Sequence, residues 1–159
     1  RQRQMCIRDR YWTPQISIGT PILIPATFIP DLTVRLSVYR RIADLADTKE
    51  INTYAAELTD RFGTLPQEVN NLLKVIVIKQ LCRKAGINKV DAGPRGAIIS
   101  FRNDDVKNLS GLIELLGKYK QSTQLRSDHK LVHKRNWEKS ADRVRGLTRL
   151  IQDLAAIAE

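Results

Sequence analysis

The chain has 159 residues, of which 42% are hydrophobic and 28% are charged, and its formal net charge at neutral pH is +10. This length and balance are typical of one soluble globular domain. No apolar run approaches the ~18 residues that a membrane span needs, and no secretory signal pattern opens the chain. We therefore expect a cytoplasmic protein without a membrane partner.

The first ten residues resemble a translated sequencing adapter, because Met5–Arg10 reads Met-Cys-Ile-Arg-Asp-Arg. Residues 1–10 carry four arginines and one aspartate, so excluding them as non-native lowers the net charge to +7. Their exclusion also removes Cys6 and leaves Cys82 as the only cysteine, which predicts neither a disulfide nor a zinc site. We interpret the chain as a fragment of a longer protein.

The next twenty residues, 11–30, are rich in proline and β-branched side chains, which predicts an extended lead-in with one or two short strands. A first helix is predicted from the N-cap Asp31 to about Asp47. Arg35 falls inside the apolar arc of that helix. Its stem either packs while its head reaches water, or its guanidinium forms a structural ion pair.

Two further helices follow. Apolar residues at helical spacing predict the second over Thr48–Phe62, with Asp47 and Glu50 as a capping box and Gly63 as the residue that ends it. The third, about Pro66–Ala85, is apolar over much of its circumference and is predicted to be central.

The pattern then changes to short β-rich runs. We predict a hairpin around residues 93–96, a short helix stopped by Gly117, a second strand pair around residues 127–128, and a last helix from Ser140 to the end. The predicted fold class is α+β, with N-terminal helices packed against a small, mainly antiparallel sheet and a C-terminal helix.

Motifs for catalysis and cofactor binding are missing from the sequence. The glycines at 93 and 96 lack the Lys-Ser/Thr of a phosphate loop, so ATP binding is not predicted. His129 and His133 are four residues apart, but their surroundings indicate a strand and offer no further ligands. We expect no metal site, no catalytic residues and two partly exposed histidines.

A basic stretch runs from Lys118 to Arg149. Only three acids accompany its ten cations, which are Lys118, Lys120, Arg126, Lys130, Lys134, Arg135, Lys139, Arg143, Arg145 and Arg149. Trp137 lies among them and is a candidate to stack on a base or to anchor a protein partner. Two interpretations stay open: an ordinary solvated surface, or a face that binds nucleic acid or an acidic partner. The candidate residues for the second are Lys130, Lys134, Arg135, Trp137 and Lys139.

The end of the second helix carries an acidic pair, Glu57 and Asp60, on the side away from the apolar stripe. Carboxylates at the C-terminal end of a helix are disfavoured by roughly 0.3–1 kcal/mol each when exposed. Arg61 is spaced to pair with Glu57, which leaves Asp60 without a local benefit. The pair is either a solvated edge or a set of acceptors for an arginine on another surface.

Several separated motifs resemble the C-terminal domain of the bacterial transcription-repair coupling factor (Mfd) family, and the similarity covers residues 12–159. The motifs are Ile29-Pro30-Asp31 with Leu36-Ser37-Val38-Tyr39-Arg40-Arg41-Ile42-Ala43, then Glu57-Leu58-Thr59-Asp60-Arg61-Phe62-Gly63-Thr64-Leu65-Pro66, then Asp91-Ala92-Gly93-Pro94-Arg95-Gly96.

The resemblance implies that residues 31–159 are a non-catalytic regulatory domain and that residues 11–30 lead in from a missing helicase motor. Such a domain packs on a UvrB-like N-terminal module of the same protein and masks UvrA binding until RNA polymerase is engaged. ATP, magnesium and DNA would bind the motor of the parent, an ATP-driven DNA translocase, and no cofactor is expected in this fragment.

The family's E-L-x-D-R-F-G motif has two acids that face arginine at that contact, and here they are Glu57 and Asp60, beside Arg61. Thr64 stands where family members often have proline or leucine, which affects the loop and not the carboxylates. The alternative function is a basic accessory domain that contacts DNA or RNA through the Lys118–Arg149 face.

Overall fold

A computed structural model describes residues 13–19, 22–106 and 108–158. The adapter-like residues 1–10 lie outside this described part. Within it the chain forms five α-helices and five β-strands, in the order β1 (Gln15–Ser17), α1 (Leu32–Ala43), α2 (Thr48–Phe62), α3 (Gln67–Ala85), β2 (Ile87–Gly93), β3 (Gly96–Phe101), α4 (Leu109–Tyr119), β4 (Thr123–Leu125), β5 (Lys130–Lys134) and α5 (Ser140–Ala158).

The strands form a sheet in the order β1-β2-β3-β5-β4. Only the β1–β2 pair is parallel, and the other neighbouring pairs are antiparallel. Alternate residues such as Val90, Ile99 and Leu131 point into a core shared with α3, α4 and α5. The opposite face carries exposed residues, including Ile98, which is 37% exposed. The predicted α+β class with a mainly antiparallel sheet is confirmed.

Two hydrophobic clusters fill the molecule, and α3 contributes to both. Val69 and Leu73 at its start pack with α1 and α2, whereas Ile78 and Cys82 nearer its end pack under the sheet. Because it meets a core on more than one side, α3 needs apolar residues over most of its circumference. Its predicted central position is confirmed.

The lead-in packs against both the sheet and the helices. Residues 15–17 pair with β2, and Ile18 and Ile29 are buried in the sheet cluster and the helical cluster, respectively. Arg35 of α1 donates from Nη1 to the carbonyls of Ile29 at 3.0 Å and Pro30 at 3.3 Å. The predicted structural ion pair of Arg35 is not observed among the described residues, since its guanidinium binds backbone carbonyls, and the half-buried side chain is compatible with a packed stem and a partly exposed head.

Two predicted helix ends were wrong. The first helix ends at Ala43, short of Asp47, because the Asp44 N–H turns back to the carbonyls of Arg40 and Arg41 and buried Leu45 follows. The fourth helix runs through Gly117 to Tyr119, whose hydroxyl donates to Asp153 of α5 at 2.5 Å. This contact between helices outweighs the tendency of glycine to end a helix. The second helix and both hairpins are confirmed.

Candidate partner-binding surfaces

The acidic pair lies at the exposed C-terminal end of α2. Glu57 and Asp60 are exposed, whereas Ile51, Tyr54 and Leu58 on the same helix are buried. Within the described residues neither carboxylate makes an ion pair within 4.0 Å or a side-chain hydrogen bond. Two acids at the negative end of a helix dipole therefore keep their acceptor oxygens available to an outside cation.

Arg61 does not pair with Glu57, contrary to the prediction from spacing. Its guanidinium lies over the ring of Phe62, 4.7 Å from the ring centroid. An exposed i, i+4 ion pair and an exposed cation–π contact have similar small energies, so local packing decides between them. The ring contact leaves Glu57 without an intrahelical partner.

A second arginine flanks the acids from α1. Arg41 lies over the ring of Tyr54, with its guanidinium carbon 5.5 Å from the centroid. Burial raises the pKa of Tyr54, the charge of Glu57 raises it further, and Arg41 and Arg61 act in the opposite direction. We call Arg41, Glu57, Asp60 and Arg61 the acidic–arginine surface. Its two guanidinium groups are held against rings, which lowers the entropy lost when a partner binds.

The cations of the basic stretch do not form one face. Lys130 and Lys134 project from the open side of β5, and Lys139 is exposed in the segment before α5. The Arg135 guanidinium instead lies 5.7 Å from the ring centroid of Tyr119, which packs against the sheet cluster. The fold therefore directs the candidate cations to different sides.

Trp137 and Arg143 are buried, so neither has the predicted exposed role. Trp137 is 5% exposed, and a Cβ built on Gly146 of α5 would approach its ring to 2.7 Å. This close packing leaves no ring face for a base or for a protein partner. Arg143 is 4% exposed and donates to backbone carbonyls that include Ile18 and Trp137. Both side chains are structural.

The two histidines differ from the prediction of partial exposure. His129 is exposed, but His133 is 3% exposed, and its Nδ1 shares a 2.5 Å hydrogen bond with Thr123 Oγ1. Burial, with a smaller contribution from Arg135, lowers the pKa of His133 to about 4. The ring is thus a neutral core group near neutral pH.

The buried imidazole makes the domain sensitive to acid. An unfolded histidine has a pKa near 6.5, whereas the pKa of folded His133 is about 4. Between these two pH values the unfolded state binds a proton that the folded state does not bind, which favours unfolding. The stabilisation of the folded state by neutral His133 is fully present above pH 6.5. As the pH falls from 6.5 to about 4, the free energy of unfolding decreases by up to ~3 kcal/mol on this account. Urea unfolding at several pH values is expected to show that His133→Gln loses less of its free energy of unfolding on acidification than the original chain does. The control His129→Gln is expected to lose as much as the original chain. Parallel profiles for all three proteins would contradict the assignment.

Other classes of site find no support in the described part of the chain. No group of three or more His, Cys, Asp and Glu residues is placed to hold a metal ion there. Burial raises the pKa of Cys82 to about 12, which leaves its thiol unreactive. None of the described helices is long and apolar enough to cross a membrane.

The profile of the TRCF domain matches residues 18–112, more than half of the chain. The chain belongs to the TRCF domain family. The matched span contains the lead-in from residue 18 onward, the α1–α3 helices, the β2–β3 hairpin and the acidic–arginine surface.

Proteins named transcription-repair-coupling factor are similar to this chain. The one from Rickettsia conorii is 34% identical over 128 residues, which cover 80% of this chain and 11% of that protein. The one from Escherichia coli K12 is 37% identical over 111 residues, which cover 70% of this chain and 10% of that protein. The chain thus spans about a tenth of the length of these curated relatives.

The fold has a solved counterpart. A crystal structure of the C-terminal domain of transcription-repair coupling factor aligns with a TM-score of 0.73 over 94% of this chain and 97% of that one, at 19% identity. This likeness supports the shared fold, and the resemblance drawn from the sequence motifs is confirmed.

Proposed function

We propose that this domain is a non-catalytic regulatory module of a transcription-coupled repair translocase. The acidic–arginine surface would pack on the UvrB-like N-terminal module of the same parent protein and mask the site for UvrA. Engagement of RNA polymerase and DNA by the parent would then release the contact. ATP and magnesium would bind the parent's motor and not this domain, and the parent would act in the cytoplasm.

One observation carries the proposal: Glu57 and Asp60 are exposed, adjacent and without an ion pair in the described residues, within the family motif. An arginine accepted by paired carboxylates in a partly desolvated contact gains more than an exposed surface pair does. The flanking Arg41 and Arg61 extend the surface with the opposite charge. We expect a partner with arginine opposite the acids and acidic or polar groups opposite the arginines.

The mechanism would be a shift between two populations. In the closed form this contact hides the UvrA site, and in the open form polymerase-bound parent exposes it. Moving such an equilibrium from mostly closed to mostly open requires about 5 kcal/mol of differential binding. A contact of a few charge-assisted hydrogen bonds is strong enough to favour the closed form. It is also weak enough for the binding of polymerase and DNA to shift the equilibrium to the open form.

Replacing both acids tests the proposal. The double variant Glu57→Ala, Asp60→Ala is expected to weaken binding to the separated UvrB-like module by about a hundredfold or more, because two charge-assisted hydrogen bonds of ~1.5–3 kcal/mol each are lost. Calorimetric titration of the two separated pieces measures this, and urea unfolding checks that the variant stays folded.

The matched control is Glu114→Ala with Glu138→Ala, which removes two exposed acids from other parts of the surface. It is expected to bind like the original chain. Equal affinity of the original chain and the Glu57/Asp60 variant would remove the proposal.

The alternative, nucleic-acid binding by the basic stretch, loses support from the structure. Trp137 and Arg143 are buried, while Arg126 and Arg145 pair with Asp128 and Asp142. A gel shift of this chain on duplex DNA and on RNA, repeated over a range of salt, discriminates the two functions. The regulatory proposal expects little binding even at low salt, and tight salt-dependent binding would favour the alternative.

A further inference from the structure

An open groove of about 520 Å³ lies between α2 and α5, with α3 as its floor. Ala55 of α2 and Leu73 and Val77 of α3 give this floor an apolar surface. The groove lies where the two hydrophobic clusters meet along α3. Its volume falls within the ~300–1,000 Å³ of pockets that hold small ligands or a few inserted side chains.

The titratable side chains that line this groove are all cations. Lys74 projects from α3, and Arg145 and Arg149 project from α5. All three are exposed. Arg145 pairs with Asp142 at 3.0 Å, whereas Lys74 and Arg149 make no ion pair within 4.0 Å among the described residues.

The three cations place like charges around one groove. Arg145 and Arg149 are four residues apart on α5, where like charges repel by a few tenths of a kcal/mol. Lys74 adds a third positive charge from the adjacent helix. A cleft lined by one sign of charge concentrates the field above its floor and attracts ligands of opposite charge.

We propose that this groove binds an acidic segment of a partner protein, which inserts a large apolar side chain against Leu73 and Val77 and places carboxylates on Lys74 and Arg149. Between Arg145 and Arg149 α5 rises only about 6 Å, so the contact is about one helical turn long. A short segment carrying two or three anchoring side chains fits that length.

The lining favours a peptide over nucleic acid. Single-stranded nucleic acid binds on aromatic side chains that stack with successive bases. None of the described residues that line the groove is aromatic. An apolar floor with a cationic rim instead matches an amphipathic acidic segment.

The groove is separate from the acidic–arginine surface. At 3.6 residues per turn, Ile51 and Ala55, which line the groove, lie at least about 120° around α2 from Glu57 and Asp60. The two surfaces therefore accept different partners, or different parts of one partner, and substitutions in one leave the other intact. Failure of either proposal does not affect the other.

The test is a selection from random displayed peptides of about twelve residues, long enough to form three helical turns, on the immobilised chain. Enriched peptides are expected to combine at least one large apolar residue with several carboxylates. Synthetic copies are expected to bind at least about tenfold more weakly to the Lys74→Glu, Arg149→Glu variant in fluorescence polarisation, since two reversed charges change binding by more than ~1.4 kcal/mol. A milder Lys74→Gln, Arg149→Gln variant is expected to lose less, in the same direction.

Two controls keep the test specific. Lys118→Glu with Lys134→Glu changes the net charge equally, away from the groove, and is expected to leave peptide binding within a factor of about two. The Glu57/Asp60 double alanine variant is expected to bind the peptides normally. No enriched peptides, enriched peptides without acids, equal loss in the Lys118/Lys134 control, competition by a single-stranded DNA oligonucleotide, or self-association abolished by the groove variant would each overturn the proposal.

Discussion

Alanine in place of Gly96 is expected to destabilise the domain by about 3 kcal/mol or more. Gly96 begins β3 with φ +128°, and a Cβ built there would lie 1.9 Å from the carbonyl oxygen of His133 on β5. The obstructing atoms belong to the backbone, so no side chain can rotate to relieve the clash. The strands at the centre of the sheet would have to separate, and urea unfolding at neutral pH measures the loss.

The control for Gly96 lies across the same turn. Gly93 pairs with Gly96 in the hairpin, has no positive φ, and has nothing within 4 Å of an added Cβ. Gly93→Ala is expected to change the free energy of unfolding by less than ~1 kcal/mol. If both variants lost similar stability, the register of β3 against β5 would not be the reason that glycine is needed at position 96.

Replacing Arg143 with methionine is expected to lower the free energy of unfolding by about 2–4 kcal/mol. The buried guanidinium donates to the carbonyls of Ile18 at 2.8 Å, Gly19 at 3.2 Å, Trp137 at 2.9 and 3.1 Å, and Glu138 at 3.4 Å. Methionine keeps the apolar stem and removes every donor, and each buried carbonyl left without a partner costs ~1–3 kcal/mol. Removing a buried charge offsets part of this loss.

Two measurements separate this role from a general effect of losing an arginine. Arg145→Met, two residues further along α5, removes an exposed pair with Asp142 and is expected to cost less than ~1 kcal/mol. Hydrogen exchange at the β1 amides is expected to accelerate in the Arg143 variant, because the lead-in loses its link to α5. Unchanged β1 protection, or equal losses in both variants, would contradict the role of Arg143.

Helix α2 shows what could be read without tertiary contacts. Its bounds, Thr48–Phe62, match the prediction because the signals are local: Asp47 accepts a hydrogen bond from the Glu50 N–H at 2.8 Å, and Gly63 has φ +98°. The acidic pair was found for the same reason, since its position at a helix end follows from sequence spacing. The β2–β3 hairpin likewise follows from its glycines and proline.

The basic stretch shows where local reasoning stops. Arg143 contacts Ile18, which is 125 residues away, and Trp137 is enclosed by Gly146 and the sheet cluster. Their exposure depends on which distant segments pack against them, and charge or aromatic character alone does not report that. The groove lined by Lys74 and Arg149 was not predicted, because it forms between three helices and the sequence of any one of them does not indicate a groove.

The sequence by itself therefore determined the fold class, the caps of α2, the family resemblance and the exposed acids at the end of α2. The caps and the acidic pair depend on residues within a few positions of each other, where backbone geometry links spacing to structure, and the fold class and the resemblance follow from the order of such local patterns along the chain. Only the tertiary structure decided which cations are free, which aromatic ring is buried and where a groove opens. Those outcomes follow from burial against segments far away in the chain, whose energies exceed the local preferences.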